Sequence, residues 1–171
     1  MTPEFLIRHF HLEPLPREGG MFARYYLALE TVAQSALPAR YIHAKNFGSA
    51  ICYLHQPHTQ SFLHKLKTDE IYHFYAGDPV ALVMLHDDGS HHVVILGQDY
   101  RAGQHPFFVV PRGVWQGSCL VKGGAWALLG ATLAPAYDDD DFELGERAVL
   151  LSQYPTAADW VRRLTPEPSK T

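Results

Sequence analysis

His64-Lys-Leu-Lys-Thr-Asp-Glu70-Ile-Tyr-His-Phe-Tyr-Ala-Gly77 carries two strand-like runs with a histidine and a glutamate at fixed places on their faces. Alternation along the strand-like run Ser61–Lys67 puts Phe62, His64 and Leu66 on one face, with Leu63, Lys65 and Lys67 on the other. One histidine therefore shares a side with two apolar residues, opposite two lysines, and that side is expected to face the interior of a barrel. In the next run Glu70, Tyr72 and Phe74 share a face, while Ile71, His73 and Tyr75 share the other. A carboxylate aligned with two aromatic rings sits on an apolar wall, where burial raises its pKa or demands a partner. His64, Glu70, Tyr72 and Phe74 are thus candidate pocket residues.

A second stretch, Val110-Pro111-Arg-Gly113-Val-Trp115-Gln116, completes the argument. Proline fixes the chain and glycine permits a tight bend, so Gln116 can be aimed inward at the start of the next strand. Glutamine is a poor transition-metal ligand but both donates to and accepts from hydroxyls. Trp115 is expected to seal core. Working outward, short β-rich runs follow one another at close spacing: Tyr41–Lys45, Ser49–Leu54, Ser61–Lys67, Glu70–Ala76, Val80–His86, His91–Leu96, Phe107–Val110 and Ala125–Ala134. Asp88-Gly89 between two of them is a hairpin-turn signal. Residues 4–12 are expected to form a short helix stopped by Pro14 and Pro16. Residues 142–151 read as strand or helix. Residues 155–165 read as a closing helix with Thr156 as its cap and Trp160, Val161 and Leu164 inward. The tail Thr165–Thr171 is expected to fray. No repeat and no second domain is visible, so residues 1–171 read as one domain with its barrel over about residues 20–145.

Bulk properties exclude several function classes. The chain has 171 residues, 47% of them hydrophobic and 19% charged, with a net charge of −4 and no long basic run, so nothing favours nucleic acid. Asp138–Asp141 reads as a solvated turn. Two cysteines make no disulfide scaffold, and Cys52 reads as a buried thiol. Neither a signal peptide nor an apolar stretch of about 20 residues is seen, which makes the cytoplasm the simplest compartment and leaves no membrane partner.

Other candidates are weaker. Arg24, alternating with Phe22 and Tyr26, could bind a carboxylate or phosphate on a ligand, or stand exposed on an edge strand. Glu18-Gly19-Gly20 reads as a turn. His55 and His58 flank Pro57 in what reads as a loop, His73 points away from Glu70, and His91-His92 reads as surface. Runs apolar on both faces (Ile71 and Tyr75 opposite Tyr72 and Phe74; Leu82 and Met84 opposite Val83 and Leu85) suggest sheet covered by a second copy.

These two stretches resemble the paired motifs of the cupin superfamily. Glu70 and Gly77 hold the spacing of its first motif, with His64 at the first histidine position and Leu66 at the second. Pro111 and Gly113 hold the second motif, with Gln116 at its terminal histidine. Pro16-Arg-Glu18-Gly19-Gly20, Gly130-Ala-Thr132-Leu-Ala-Pro135 and Asp141-Phe142-Glu143, in order with those motifs, are similar to one cupin family of unassigned function, from about residue 4 to residue 165. The family's usual motif begins with a histidine before Pro-Glu-Gly-Gly, from which Leu15-Pro16-Arg17-Glu18 departs. The resemblance implies an all-β double-stranded β-helix, the cupin jelly-roll barrel, with short terminal helices, usually dimeric, with a central pocket. Its relatives include deoxysugar-nucleotide epimerases and seed-storage cupins.

Three functions compete. One is binding of a small polar molecule, sugar-like or acidic, by His64, Glu70, Tyr72, Phe74, Gln116 and Arg24. The second is a metal-independent epimerase or isomerase with His64 as base and Tyr72 or Tyr53 as acid. The third is a metal-dependent enzyme using His64, Glu70 and Gln116. Because Leu66 and Gln116 replace two imidazoles, a divalent metal is disfavoured and no cofactor is expected.

Overall fold

The computed structural model describes residues 1–167. Helix α1 (Pro3–His9) starts where the Thr2 hydroxyl caps it, accepting from the Phe5 N–H at 3.3 Å, and proline occupies its first turn. The strands follow in the order β1 (Glu13–Pro14), β2 (Met21–Leu27), β3 (Thr31–Val32), β4 (Lys45–Asn46), β5 (Ser49–His55), β6 (Gln60–Leu66), β7 (Glu70–Gly77), β8 (Val80–Leu85), β9 (His91–Leu96), β10 (Phe107–Val110), β11 (Trp115–Leu120), β12 (Ala127–Leu133) and β13 (Phe142–Leu144). Helices α2 (Arg147–Gln153) and α3 (Ala158–Arg163) close the described chain.

Six strands form one antiparallel sheet in the order β1-β2-β5-β12-β7-β10, and five form a second in the order β13-β6-β11-β8-β9. The sheets face each other as a double-stranded β-helix, with Tyr53, Tyr72, Phe74, Leu82, Met84, Leu96, Leu120 and Leu129 packed between them. Neighbouring strands come from distant parts of the sequence, which is the mark of a jelly roll rather than a meander.

Several expected elements differ in the structure. Only Lys45 of the expected Tyr41–Lys45 strand pairs, together with Asn46 beyond it; Tyr41 is buried in a loop, its hydroxyl donating to the Lys67 carbonyl at 3.1 Å. Strand β11 extends well beyond Gln116 through Gly117-Ser118-Cys119, a run with no β-branched or aromatic residue to announce it. Residues 142–151 are both strand and helix, divided at Gly145. Thr156 caps nothing: the turn before α3 is a 3₁₀ segment with no side-chain cap. Val161 and Leu164 are buried as expected and Trp160 is half-buried. Thr165 is held, its hydroxyl donating to the Val161 carbonyl at 2.6 Å and accepting from Arg147 Nε at 2.8 Å. The end of the expected frayed tail, residues 168–171, lies outside the described residues.

The outer faces explain the doubly apolar strands. Val83 and Leu85 on β8, Leu63 on β6, and Trp115 and Cys119 on β11 are covered by Leu150, Tyr154, Ala157, Val161 and Leu164 of the chain's own C-terminal helices. The apolarity of β8 therefore calls for no second copy. On the other sheet α1 covers Cys52, Leu54 and Leu128 with Leu6. Tyr75 of β7 and Phe107 and Val109 of β10 stay exposed.

Truncating Leu150, fully buried under the five-stranded sheet, removes several methyl and methylene groups and leaves a cavity. Leu150→Ala is expected to cost about 2–5 kcal/mol, read as a lower urea midpoint with an unchanged slope.

Candidate functional site

Strands β6 and β11 pair so that His64 and Gln116 lie directly opposite, which sends both side chains into the barrel. Glu70, the first residue of β7, enters from the facing sheet. Gln116 Nε2 donates to Glu70 Oε2 at 2.7 Å. His64 Nδ1 donates to the Phe62 carbonyl at 2.8 Å, leaving Nε2 3.8 Å from the same Glu70 oxygen. The carbonyl can only accept, so this contact fixes the proton on Nδ1 and turns Nε2 to the carboxylate. The Phe142 ring stacks on His64 at 5.1 Å and 20°, and the Arg17 guanidinium lies 4.5 Å above the Phe142 centroid.

The turn at residues 16–20 does more than turn. It delivers Glu18 into the same interior, where Ser61 Oγ donates to Glu18 Oε1 at 2.6 Å. The Glu18 carbonyl accepts from the Phe62 N–H at 2.8 Å, which pins the turn to β6. Gly20, at φ +75°, lies against the Tyr53 hydroxyl, which an added Cβ would meet at 2.0 Å; that hydroxyl donates to the Gly19 carbonyl at 2.8 Å. Ser61 faces inward because the β6–β11 register slips between Gln116 and Ser118. Gln116 opposes His64, but Ser118 opposes Ser61, so β6 carries an extra residue.

Protonation in this interior is strongly coupled. Burial opposes a charge on His64, and it is the largest single influence. The Glu18 carboxyl and then Glu70 more than overcome it and push the imidazole up to about 9. Burial pushes the Glu18 carboxyl up, only partly offset by His64 and Ser61. Part of Glu18 reaches the surface, but its carboxyl is the enclosed end, because its partner Ser61 is itself buried. Burial, reinforced by the two carboxylates, carries the Tyr53 and Tyr72 hydroxyls well above their usual range. The arrangement is therefore an imidazolium between two carboxyls, with neutral phenols around it.

Of the residues singled out from sequence, the structure brings His64, Glu70, Tyr72 and Gln116 together. Glu70 and Tyr72 line the small cavity beside Glu18, Tyr53 and Ser61, His64 and Gln116 reach the site through Glu70 without lining that cavity, and Phe74 lies in the core between the sheets. Arg24 stands exposed opposite Ile51 and lines no part of that cavity. His55, read as loop, ends β5 fully buried, with Nε2 2.9 Å from Ser118 Oγ; burial lowers it to about 3, so it stays neutral. His73 is on the outer face, 3.2 Å from Thr132 Oγ1. Glu18, Ser61 and Phe142 were missed. Only the glycine pair after Glu18 signalled a close approach, and the bulge that turns Ser61 inward leaves no mark in the pattern.

The donor set does not fit a transition metal. The second histidine position is Leu66, buried and apolar. Gln116 directs its amide N–H, not its oxygen, at Glu70. Among the described residues no three histidine, cysteine, aspartate or glutamate side chains are grouped to hold a metal ion. The cavity itself is about 10 Å³, room for one water.

The family described as Cupin superfamily (DUF985) matches residues 4–145. A structure of a protein from Shewanella oneidensis superposes with a TM-score of 0.87 at 28% identity, covering 98% of this chain and 99% of that one. A hypothetical protein from Leishmania major gives 0.87 at 25% identity, covering 98% and 100%. Oxalate decarboxylase from Bacillus subtilis, at 12% identity and 0.53, covering 93% of this chain and 38% of that one, shares the fold alone. No curated protein matches. Among the described residues no helix is long and apolar enough to cross a membrane.

The raised His64 value sets a pH dependence. An imidazole favoured as the cation in the folded state contributes stability fully below its unfolded value of about 6.5. That contribution is lost as pH rises through about 9. NMR titration of the His64 ring protons is expected to show a midpoint near that value, and Glu18→Gln is expected to lower it. A wild-type midpoint at or below the unfolded value would contradict the assigned carboxylate contacts.

Proposed function

The chain belongs to the family described as Cupin superfamily (DUF985), and from that premise we propose that it binds a small, neutral, hydroxyl-bearing molecule of sugar-like character inside the barrel. The observation that carries this reading is Gln116 Oε1, which is buried and has no hydrogen-bond partner. Flipping the amide would not help, because the carboxylate of Glu70 can only accept. A buried acceptor left unpaired costs about 1–3 kcal/mol, and a ligand hydroxyl donating to it would recover that cost. His64 and Tyr72 offer donors beside it, and Glu18 and Glu70 further acceptors. Two carboxyls against one imidazolium make the interior a poor host for an acid, so the sugar-like option is preferred to the acidic one.

The cavity holds only about one water, so its walls must move apart to admit anything larger. Phe142, which stacks on His64, is half-buried and carries the Arg17 guanidinium over its ring. The small cavity also favours a second reading, in which the cluster is a satisfied polar network around one water and binds nothing. An epimerase with His64 as base is less well supported, since an imidazole pushed up to about 9 donates protons at neutral pH rather than taking them. The binding reading needs no metal.

D-glucose, D-mannose and myo-inositol, tested by saturation-transfer NMR, are expected to include at least one binder, with binding unchanged by prior EDTA dialysis. Gln116→Leu is expected to weaken that binding by roughly tenfold, the scale of one hydrogen bond, while the fold persists. Binding by none of the three, with Gln116→Leu clearly less stable than the wild type, would favour the network reading. Loss of binding after EDTA would restore the metal.

The protein is also proposed to be a homodimer. Tyr75, Phe107 and Val109 are exposed on the outer face of β7 and β10, and β10 is an edge strand whose free backbone could pair with a symmetry copy. Sedimentation equilibrium is expected to give twice the chain mass at micromolar concentration, and Phe107→Glu to shift it to the monomer. A monomeric wild type would sink the dimer.

A further inference from the structure

A separate groove of about 500 Å³ opens beside the end of β6, at the edge where β13 adds to the sheet. Its polar walls are Arg40, Lys65, Lys67 and Arg112, facing Asp140 and Glu143, and Leu66 and Phe142 form an apolar floor. The acids of this region are already committed. Asp141 meets the buried Lys45 at 2.7 Å, Asp140 meets His43 at 3.2 Å and Glu143 meets Lys65 at 3.6 Å. Lys67 reaches Asp141 only at 4.0 Å. Among the described residues, neither Arg40 nor Arg112 has a carboxylate within ion-pair distance.

The Arg40 guanidinium and the Arg112 backbone nevertheless stand on fixed supports. Arg40 Nε donates to the Lys67 carbonyl at 2.8 Å, and its guanidinium carbon lies 4.7 Å over the Tyr41 ring. The Tyr41 hydroxyl shares that carbonyl at 3.1 Å, so the ring beneath Arg40 is itself held. This anchoring uses Nε and leaves the two terminal amino groups, the fork that matches an oxyanion, unengaged among the described residues. Arg112 projects from a turn tied at both sides. Its own N–H donates to Asp69 Oδ1 at 2.8 Å, and the Gly113 N–H donates to the Leu66 carbonyl at 3.0 Å. One held and one free guanidinium group, both without a carboxylate partner among the described residues, flank an apolar floor, so part of the ordering cost of an anion site is met before the ligand arrives.

We propose that this groove binds the anionic oxygens of a small phosphorylated or carboxylated molecule between Arg40 and Arg112, with the ligand's apolar part against Leu66 and Phe142. The site lies outside the barrel interior, separated from His64 by the Phe142 ring, and its anion contacts use neither His64 nor Glu70. The shared chemistry is a compact oxyanion of charge −2 or more.

Isothermal titration calorimetry at low ionic strength with inorganic pyrophosphate and, separately, malonate tests this. Saturable binding of at least one probe is expected, and the tighter of the two identifies phosphate or carboxylate as the source. The Arg40→Gln/Arg112→Gln double variant is expected to bind about tenfold more weakly or worse, the scale of a lost charge-assisted hydrogen bond. Arg162→Gln, which removes an exposed cation already paired with Asp159, is expected to change nothing. Circular dichroism checks the fold; if the double variant unfolds, Arg112→Gln alone, whose side chain supports no other residue, is held to the same expectation. No saturable binding of either probe, or equal affinity in wild type and arginine variant, would overturn the site.

Discussion

A 2.7 Å hydrogen bond from Gln116 to Glu70 joins the two sheets across the barrel interior, and the rest of the site is arranged around it. Glu70 alone would be a desolvated carboxylate on an aromatic wall, a costly state. The Gln116 amide supplies one donor and the His64 imidazolium an opposite charge 3.8 Å from the same oxygen. His64 in turn depends on Glu18, the leading influence that favours its charge, and on the Phe62 carbonyl, which fixes its ring. Removing any one member leaves another with an unmet charge or hydrogen bond. The cost of a change here is therefore set by what it strands rather than by the contact it deletes.

The turn that carries Glu18 shows what the backbone gives up to place that group. Arg17 sits at φ +66°, a conformation an ordinary side chain adopts at a cost of about 1–3 kcal/mol. Gly19 and Gly20 follow at positive φ, each so close to a neighbour that a Cβ would collide. The Phe62 N–H, the Ser61 hydroxyl and the Tyr53 hydroxyl each bond a group of this turn, and these three contacts over-determine a geometry the turn would not choose alone. Strain held by its surroundings beside a charged cluster is a common mark of a functional site. Here it coincides with a buried Gln116 oxygen that has no hydrogen-bond partner among the described residues.

Much of the architecture was legible in the linear pattern. Alternation set His64 and Glu70 inward, Asp88-Gly89 gave a hairpin with Gly89 at φ +83°, and proline with glycine before Gln116 marked the bend that aims it. These are short-range signals, since the pleat fixes a side chain's face from its immediate neighbours and a glycine declares a backbone angle. Strand β11 beyond Gln116 and the covering of β8 by the C-terminal helices were not legible. Both depend on which distant segment packs alongside, and Gly117, Ser118 and Val83 do not encode that individually.

A barrel of short strands, a histidine and a glutamate facing its interior, and a glutamine where another imidazole could have stood follow from the linear pattern alone. Only the tertiary structure decided that Glu18 joins them, because its place depends on a strained turn meeting β6 some forty residues later. Ser61 is inward only because a bulge shifts β6 against β11, and register is a property of two strands together. The protonation of His64 was likewise beyond any reading of one strand. Charge on a buried group is settled by the sum of burial and its neighbours' fields, and those neighbours arrive from β7 and from a turn near the start of the chain.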